Sequence, residues 1–296
     1  MKRKLEISEL IFKVVSYLLL TIFAIMCLYP FLYTISGSIS GRHEVDYNTI
    51  ILLPKDLQLE AFAKIFNDNM FWNSYSNTLF LTFYGTLWEV FLSILGAYAL
   101  SKQRLLFRKG FNFFLVFTMW FSAGMVPQYL NYLATRRIFN AIGIMDDKWL
   151  VVLAMGMHAM NIILLRNSFE GVPSEIEEAA IVDGATEMQV LWRVYIPMSK
   201  SIIATVSLFF AISRWNGYYW ARQMIVNANE HPLMVYLRVR LEELQDPDYM
   251  AGFNEAYSGN SLIYSLIITS VIPILVIYPF IQKYFAKGTN VGGVKE

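Results

Sequence analysis

Long apolar runs dominate this chain and decide what it can fold into. The first covers about 12–36, and others recur at about 77–100, 111–131, 149–166, 202–222 and 262–284. In lipid every backbone N–H and C=O must be satisfied within the protein, so runs of this length predict membrane-crossing helices. The expected fold class is an all-α integral membrane protein with six transmembrane helices, forming one transmembrane domain over 1–296. Composition agrees, with 56% hydrophobic residues, 16% charged residues and a mean hydropathy of +0.43. A net charge of +1 gives no general attraction for nucleic acid, so no such partner is expected.

An even number of spans puts both termini on one side, and Lys and Arg choose the side. One face collects Lys2, Arg3, Lys4, Lys102, Arg104, Arg108, Lys109, Arg166, Arg193, Lys200, Lys283, Lys287 and Lys295. The basic residues of the other face are spread over longer loops, so both termini are predicted to be cytoplasmic. The basic start followed by an apolar run has the outline of a signal peptide. However, the run is too long and shows no small-residue cleavage site before Tyr29-Pro30, which predicts a retained first span. Cys27 is the single cysteine, so no disulfide within the chain is expected.

Between the fourth and fifth runs lies a short polar stretch, 173–197, PSEIEEAAIVDGATEMQVLWRVYIP. Ser174 with Glu177 three residues on has the form of a capping box that starts a helix. Glu175, Glu177 and Glu178 suit the positive end of that helix. Asp183-Gly184 predicts a sharp turn. Thr186 with Gln189 forms a second capping box, and a second helix is expected to run toward Tyr195 and stop at Pro197. The product is a helix–turn–helix elbow on the same face as the termini. A plain surface loop between spans has the same local pattern.

Glu178-Ala179-Ala180, Asp183-Gly184-Ala185 and Ile196-Pro197, at this spacing, resemble the EAA loop of binding-protein-dependent ABC importer permeases of the carbohydrate-uptake type. Many carbohydrate permeases carry a second proline where this chain has Ser201. The resemblance extends over nearly the whole chain, through Leu59–Phe66, Asn73-Ser74, Asn77-Thr78-Leu79, Gly96–Lys102, His231-Pro232-Leu233, Tyr236-Leu237-Arg238 and the ending KYFAKGTNVGGVKE. Ser122–Pro127 is similar to a stretch of the subgroup linked to polysaccharide uptake. The resemblance implies the type I importer permease (MetI-like) fold in a bacterial cytoplasmic membrane. It implies that Glu178, Ala179, Ala180, Asp183, Gly184, Ala185 and Pro197 form a coupling helix seated on an ATPase. The implied partners are a homologous permease in a heterodimer, two ABC ATPase subunits, an extracellular solute-binding protein, the lipid bilayer and a carbohydrate substrate. The long acidic outer loop, about 223–260, is the implied contact for the binding protein.

Within the runs, Gly124 and Pro127 weaken the third span, as happens beside a water-filled path or where protein buries the break. His158 and Asn161, a helical turn apart, are expected to bond between helices. Small residues around Gly96 and Ala97 let helices approach closely. Arg214 falls about 18 Å into the fifth span, just past the middle of a core about 30 Å thick. A charge at that depth faces a bundle interior or cavity, and Ser207, Phe210, Arg214 and Tyr218 follow helical spacing on one face. The alternative is an arginine reaching up to an aromatic belt of Trp215, Tyr218, Tyr219 and Trp220. The pathway reading collects Phe210, Arg214, Trp215, Asn216, Tyr218 and Tyr219, with aromatic faces for sugar rings and Arg214 and Asn216 for hydroxyls. Arg214, taken as an unpaired charge, also suits an acidic sugar.

No phosphate-loop motif is present, and three histidines with one cysteine make a multi-ligand zinc centre improbable. No catalytic or metal-binding residues are expected, and no cofactor on this chain. ATP and Mg are expected on the ATPase partners. The competing readings are an autonomous ion-coupled carrier, for which Glu89 is the one in-span carboxylate, an intramembrane enzyme, and an ABC permease for a non-sugar solute.

Overall fold

A computed structural model describes residues 7–121, 123–143, 147–154, 156–251 and 255–288. Lys2, Arg3, Lys4, Ser122 and residues 289–296 of the family-like ending lie outside them. The described residues are helical apart from loops and an isolated bridge between Ser40 and Leu57. In order they form α1 (Ile7–Ser38), α2 (Arg42–Asp46), α3 (Glu60–Phe66), α4 (Asn69–Ser101), α5 (Arg108–Trp120) and α6 (Met125–Ala141). Next come α7 (Asp147–Ala154), α8 (Ala159–Glu170), α9 (Ser174–Val182), α10 (Glu187–Val190), a π-turn (Leu191–Tyr195) and α11 (Ile196–Met198). The remainder is α12 (Lys200–Trp215), α13 (Tyr219–Met224), a 3-10 turn (Ala228–Glu230), α14 (Leu233–Gln245), α15 (Pro247–Ala251) and α16 (Gly259–Gly288).

Three of these helices, α1, α4 and α16, are long and apolar enough to cross a membrane singly, and the bent pairs α5–α6 and α10–α12 bring the total to five. The third run is therefore not one helix. Gly124 sits at φ +84°, and α6 restarts at Met125 and runs on to Ala141. Pro127 is harmless there, because the first turn of a helix has no partner for its N–H groups. The fourth run is likewise two pieces, with His158 extended as the N-cap of α8. His158 and Asn161 consequently do not share a helix face, and the His158 ring lies 5.9 Å from that of Phe210. The fifth run stops at Trp215, where Asn216 caps α12 and Gly217 N–H bonds back to Arg214 O. The stretch 223–260, expected as a loop, contains two helices, α14 and α15.

The chain divides into two compact units, Met1–Phe71 with Leu237–Pro273, and Trp72–Tyr236 with Ile274–Glu296. In the first, α1 is mostly exposed as far as Phe31, half-buried at 32–34, and buried at Ser36, Gly37 and Ser38. A Cβ on Gly37 would come within 2.5 Å of the Tyr264 ring, so glycine permits that approach. Polar bonds fasten the segments of this unit that lie between α1 and α16: Arg42 to Glu255 O, Ser258 to Asp46, and Arg240 to Asp68 at 2.9 Å.

The second unit holds an apolar core of Ile94 and Ala97 from α4, Ile162, Leu165 and Phe169 from α8, Val190, Leu191 and Tyr195 from the elbow, and Val206 and Phe210 from α12. The spacing of Leu165 and Phe169, and of Val206 and Phe210, is one helical turn, so each helix turns one stripe inward. Where the surroundings are lipid, such contacts stabilise by close packing rather than by escape from water. The close approach expected at Gly96 is absent, since a Cβ there meets nothing within 4 Å. It occurs at Gly85, three turns earlier on α4, where a Cβ would lie 2.7 Å from Arg214 Nε.

Candidate functional site

Two places in the second unit concentrate polar side chains. The first is the elbow, 173–197. Gly184 takes φ +83°, a conformation that costs an L-residue energy and glycine none, and the chain reverses there between α9 and α10. Thr186 accepts from the Gln189 N–H while Gln189 accepts from the Thr186 N–H, so the second capping box is present. The first is not. Pro173 is the N-cap of α9 and makes no side-chain bond. Glu177 is instead drawn to Lys102 at 2.6 Å and to the Tyr195 hydroxyl. Nor does Pro197 end the second arm, which continues to Met198 and breaks at Ser199. Proline in the first turn of α11 needs no N–H partner, and the wide π-turn precedes it.

Lys102 is the hub of this clasp. Its ammonium donates to Glu177 and to Tyr195 Oη at 2.9 Å, and sits 4.2 and 4.1 Å from the ring centroids of Tyr98 and Tyr195. Tyr98 Oη donates to Glu187 at 2.8 Å, and Arg104 also pairs with Glu187. Burial opposes ionisation of Glu177, but the bonds from Lys102 and Tyr195 and the nearby positive charges hold its carboxyl below the ordinary range. The end of α4 thus grips both arms of the elbow. None of these gripping residues was among the expected coupling residues.

The expected coupling residues divide into two sets. Glu178, Ala179, Asp183, Gly184 and Pro197 are exposed. Ala180 and Ala185 are half-buried and pack against the apolar core. Exposed Ile181, Val182, Met188 and Trp192 extend the outward set. The elbow therefore presents a surface that is part acidic, part small and part apolar.

The second place is a cavity of about 720 Å³, bordered by α4, α5, α6, the break before α8, α12 and α13. Glu89, Gln128, Asn131, Tyr132, His158, Ser213, Arg214 and Trp220 line it. Arg214 is not an unpaired charge, nor does it reach up to an aromatic belt. It is 6% exposed and pairs with Glu89 at 3.0 Å. Its Nη atoms also donate to Val151 O at 3.1 Å and Val152 O at 3.3 Å, near the C-terminal end of α7. A cation placed there satisfies carbonyls that a broken helix leaves open.

Of the residues expected along a pathway, only Arg214 borders this cavity. Phe210 is fully buried in the core, and Trp215 is buried with Tyr75 edge-on at 6.2 Å. The Asn216 amide donates to Ile212 O, and the Tyr218 hydroxyl accepts from Arg222. Tyr219 is exposed on α13 and meets Trp220. Because α12 ends at Trp215, Tyr218 does not continue the Phe210–Arg214 face.

The family model described as "Binding-protein-dependent transport system inner membrane component" matches residues 7–291. The chain belongs to this family. It is a multi-pass membrane permease subunit of an ABC importer with an all-helical permease fold, and it is not an enzyme. The permease is 34% identical over 290 residues to the polygalacturonan/rhamnogalacturonan transport system permease protein YtcP of Bacillus subtilis (strain 168), covering 96% of this chain and 98% of that one. It is 33% identical to Protein LplC of the same organism, covering 96% and 95%. Among solved structures it resembles a chain of a bacterial ABC transporter involved in the import of the acidic polysaccharide alginate. There the TM-score is 0.85 and the identity 40%, covering 96% of this chain and 100% of that one.

Asn77 and Thr78, noted in the sequence only as family-like, have a definite structural task in this permease. The Asn77 amide donates to Asn229 O at 2.8 Å and His231 O at 3.3 Å, and Thr78 Oγ1 accepts from Leu233 N–H at 2.7 Å. They hold the turn that leads into α14.

Proposed function

We propose that this permease imports an oligo- or polysaccharide as one half of a heterodimer with a homologous permease. Six spans, with the broken segments each crossing once, put both termini and the elbow in the cytoplasm, within one transmembrane domain over 1–296. Of two ABC ATPase subunits, one docks on this elbow through Glu178, Ala179, Asp183 and Gly184, with Ala180, Ala185 and Pro197 shaping it. ATP and Mg reside on those subunits, and this chain binds no cofactor. An extracellular solute-binding protein delivers the carbohydrate, and Arg214, which borders the cavity, belongs to the wall of its path.

The observation that carries this reading is the clasped elbow, whose outward side chains are free for a partner while Lys102 ties its inward ones to α4. A short helix held in this way transmits a push from outside into the bundle. The roles of the relatives, polygalacturonan/rhamnogalacturonan transport and alginate import, support a sugar substrate. An autonomous carrier would need a carboxylate free to take up and release an ion, and the one candidate, Glu89, is engaged with Arg214.

Co-purification of the tagged permease from its native membrane, followed by glycan binding to the captured solute-binding protein, tests the proposal. Recovery of ATPases, a second permease and a glycan-binding partner is the expected result. Solute accumulation in cells lacking any partner ATPase, or a binding protein that takes only non-sugar solutes, would overturn it.

A further inference from the structure

The contact with Arg214 leaves one oxygen of the Glu89 carboxyl unsatisfied. Glu89 Oε1 takes the Arg214 Nη2 contact at 3.0 Å, while Glu89 Oε2 is buried with no hydrogen-bond partner. Glu89 as a whole is 3% exposed and borders the cavity. An ionised carboxyl oxygen accepts but cannot donate, so what it lacks is a donor. One turn to either side on the same face of α4, Thr86 Oγ1 and Ser93 Oγ are also buried without a partner. Native interiors leave few such atoms unbonded, and of these three the carboxyl oxygen belongs to a residue that borders the cavity. The cavity, about 720 Å³, is of a size that holds a small molecule.

We infer that Glu89 is a hydroxyl-accepting contact for the transported solute, so that this chain holds a subsite for the hydroxyl-bearing face of a neutral sugar unit. The inference rests on the importer reading above. A carboxylate forms short, charge-assisted bonds with hydroxyl groups and repels a sugar carboxylate. Gln128 and Asn131 supply further hydrogen-bonding groups on the cavity wall, and Trp220 supplies an aromatic ring. Arg214 acts here as a positioning residue, holding one carboxyl oxygen and leaving the other for a donor.

The test uses the complete transporter in proteoliposomes, with this chain, its partner permease, the ATPases and the binding protein. The probes are the acidic and the neutral oligosaccharide that the wild type takes up fastest from a panel of oligogalacturonides, alginate oligomers and maltodextrins. With Glu89→Gln, the ratio of acidic to neutral uptake at low probe concentration is expected to rise at least tenfold. KM for the neutral probe should rise more than kcat falls. An unchanged ratio, with both probes falling equally, overturns the inference and leaves the importer reading intact.

The double variant Glu89→Leu/Arg214→Met removes the charges together and avoids a lone buried ion. It is expected to assemble as the wild type does and to melt lower, since the Val151 and Val152 carbonyls lose their donors, and to take up the neutral probe at a tenth of the rate or less. Neutral uptake restored to the wild-type rate would reduce Glu89 to a counter-charge and overturn the inference. A wild type that takes up acidic probes alone overturns it too. A wild type that takes up no oligosaccharide overturns the carbohydrate reading itself.

Discussion

Lys102 Nζ lies 2.6 Å from Glu177 Oε1, and the same nitrogen donates to Tyr195 Oη at 2.9 Å. Glu177 belongs to the first arm of the elbow and Tyr195 to the second, so a single ammonium joins both to the end of α4. The side chains are 11% and 17% exposed, which keeps water from screening the pair as it would at a surface.

Replacing Lys102 by Met is expected to remove charge-assisted bonds worth about 1.5–3 kcal/mol. Uptake should fall further than ATP hydrolysis, because the motor still turns while the elbow slips. Lys102→Arg should recover part of the ratio. Solute transported per ATP hydrolysed in proteoliposomes is the measurement, and an unchanged ratio would remove the clasp from the transmission.

Acid should loosen the same joint. The Glu177 carboxyl is held below its ordinary value in the folded protein, so its contribution is complete above the unfolded value of about 4.3 and disappears as pH falls through the lowered one. The difference in melting temperature between wild type and Glu177→Gln is expected to be constant from neutral pH down to about 5 and to close below about 4.

At Gly184, a Cβ would meet nothing within 4 Å, so any cost of substitution comes from the backbone at φ +83°. Gly184→Val is expected to cost the elbow about 1–2 kcal/mol. Gly184→Asn should cost less, because asparagine tolerates the left-handed region. Amide exchange in α9 and α10 of the isolated permease would rank the two, and equal exchange would refute the turn's role.

Gly85 and Gly96 make a matched pair on α4. Gly85→Ala forces a Cβ to 2.7 Å from Arg214 Nε, whereas Gly96→Ala enters open space. The first should destabilise by about 1–3 kcal/mol and the second by almost nothing. Thermal unfolding in detergent distinguishes them.

Asn77→Ala removes two bonds to the 229–231 turn and should cost about 1–2 kcal/mol. Faster hydrogen exchange confined to residues 225–233 is the expected signature. Unaltered exchange there would mean that Thr78 and Leu233 suffice.

Much of this molecule was legible because lipid permits few backbone solutions. Apolar length located α1, α4 and α16, each long and apolar enough to cross a membrane, and the Thr186–Gln189 box and Gly184 located the bend. What failed depended on distant partners. Ser174 and Glu177 have the spacing of a cap, but Lys102, 75 positions earlier, outbids the local bond for Glu177. Arg214 looked solitary because Glu89 sits in another apolar run, and no periodicity links the two. Gly124 itself signalled the break in the third run, whereas the one before His158 was hidden by hydropathy that stays high across it. Glu89 carried a visible signal, as the lone carboxylate within a span, yet its role needed the cavity to be seen.

The corner at Ser199 has a mechanical consequence. Glu187–Met198 meets Lys200–Trp215 at 86°. At the usual rise the two limbs measure about 18 and 24 Å. Such a joint works as a bell crank: a swing of the short limb leaves at the far tip turned through nearly a right angle and enlarged by about a third. Arg214 rides next to that tip.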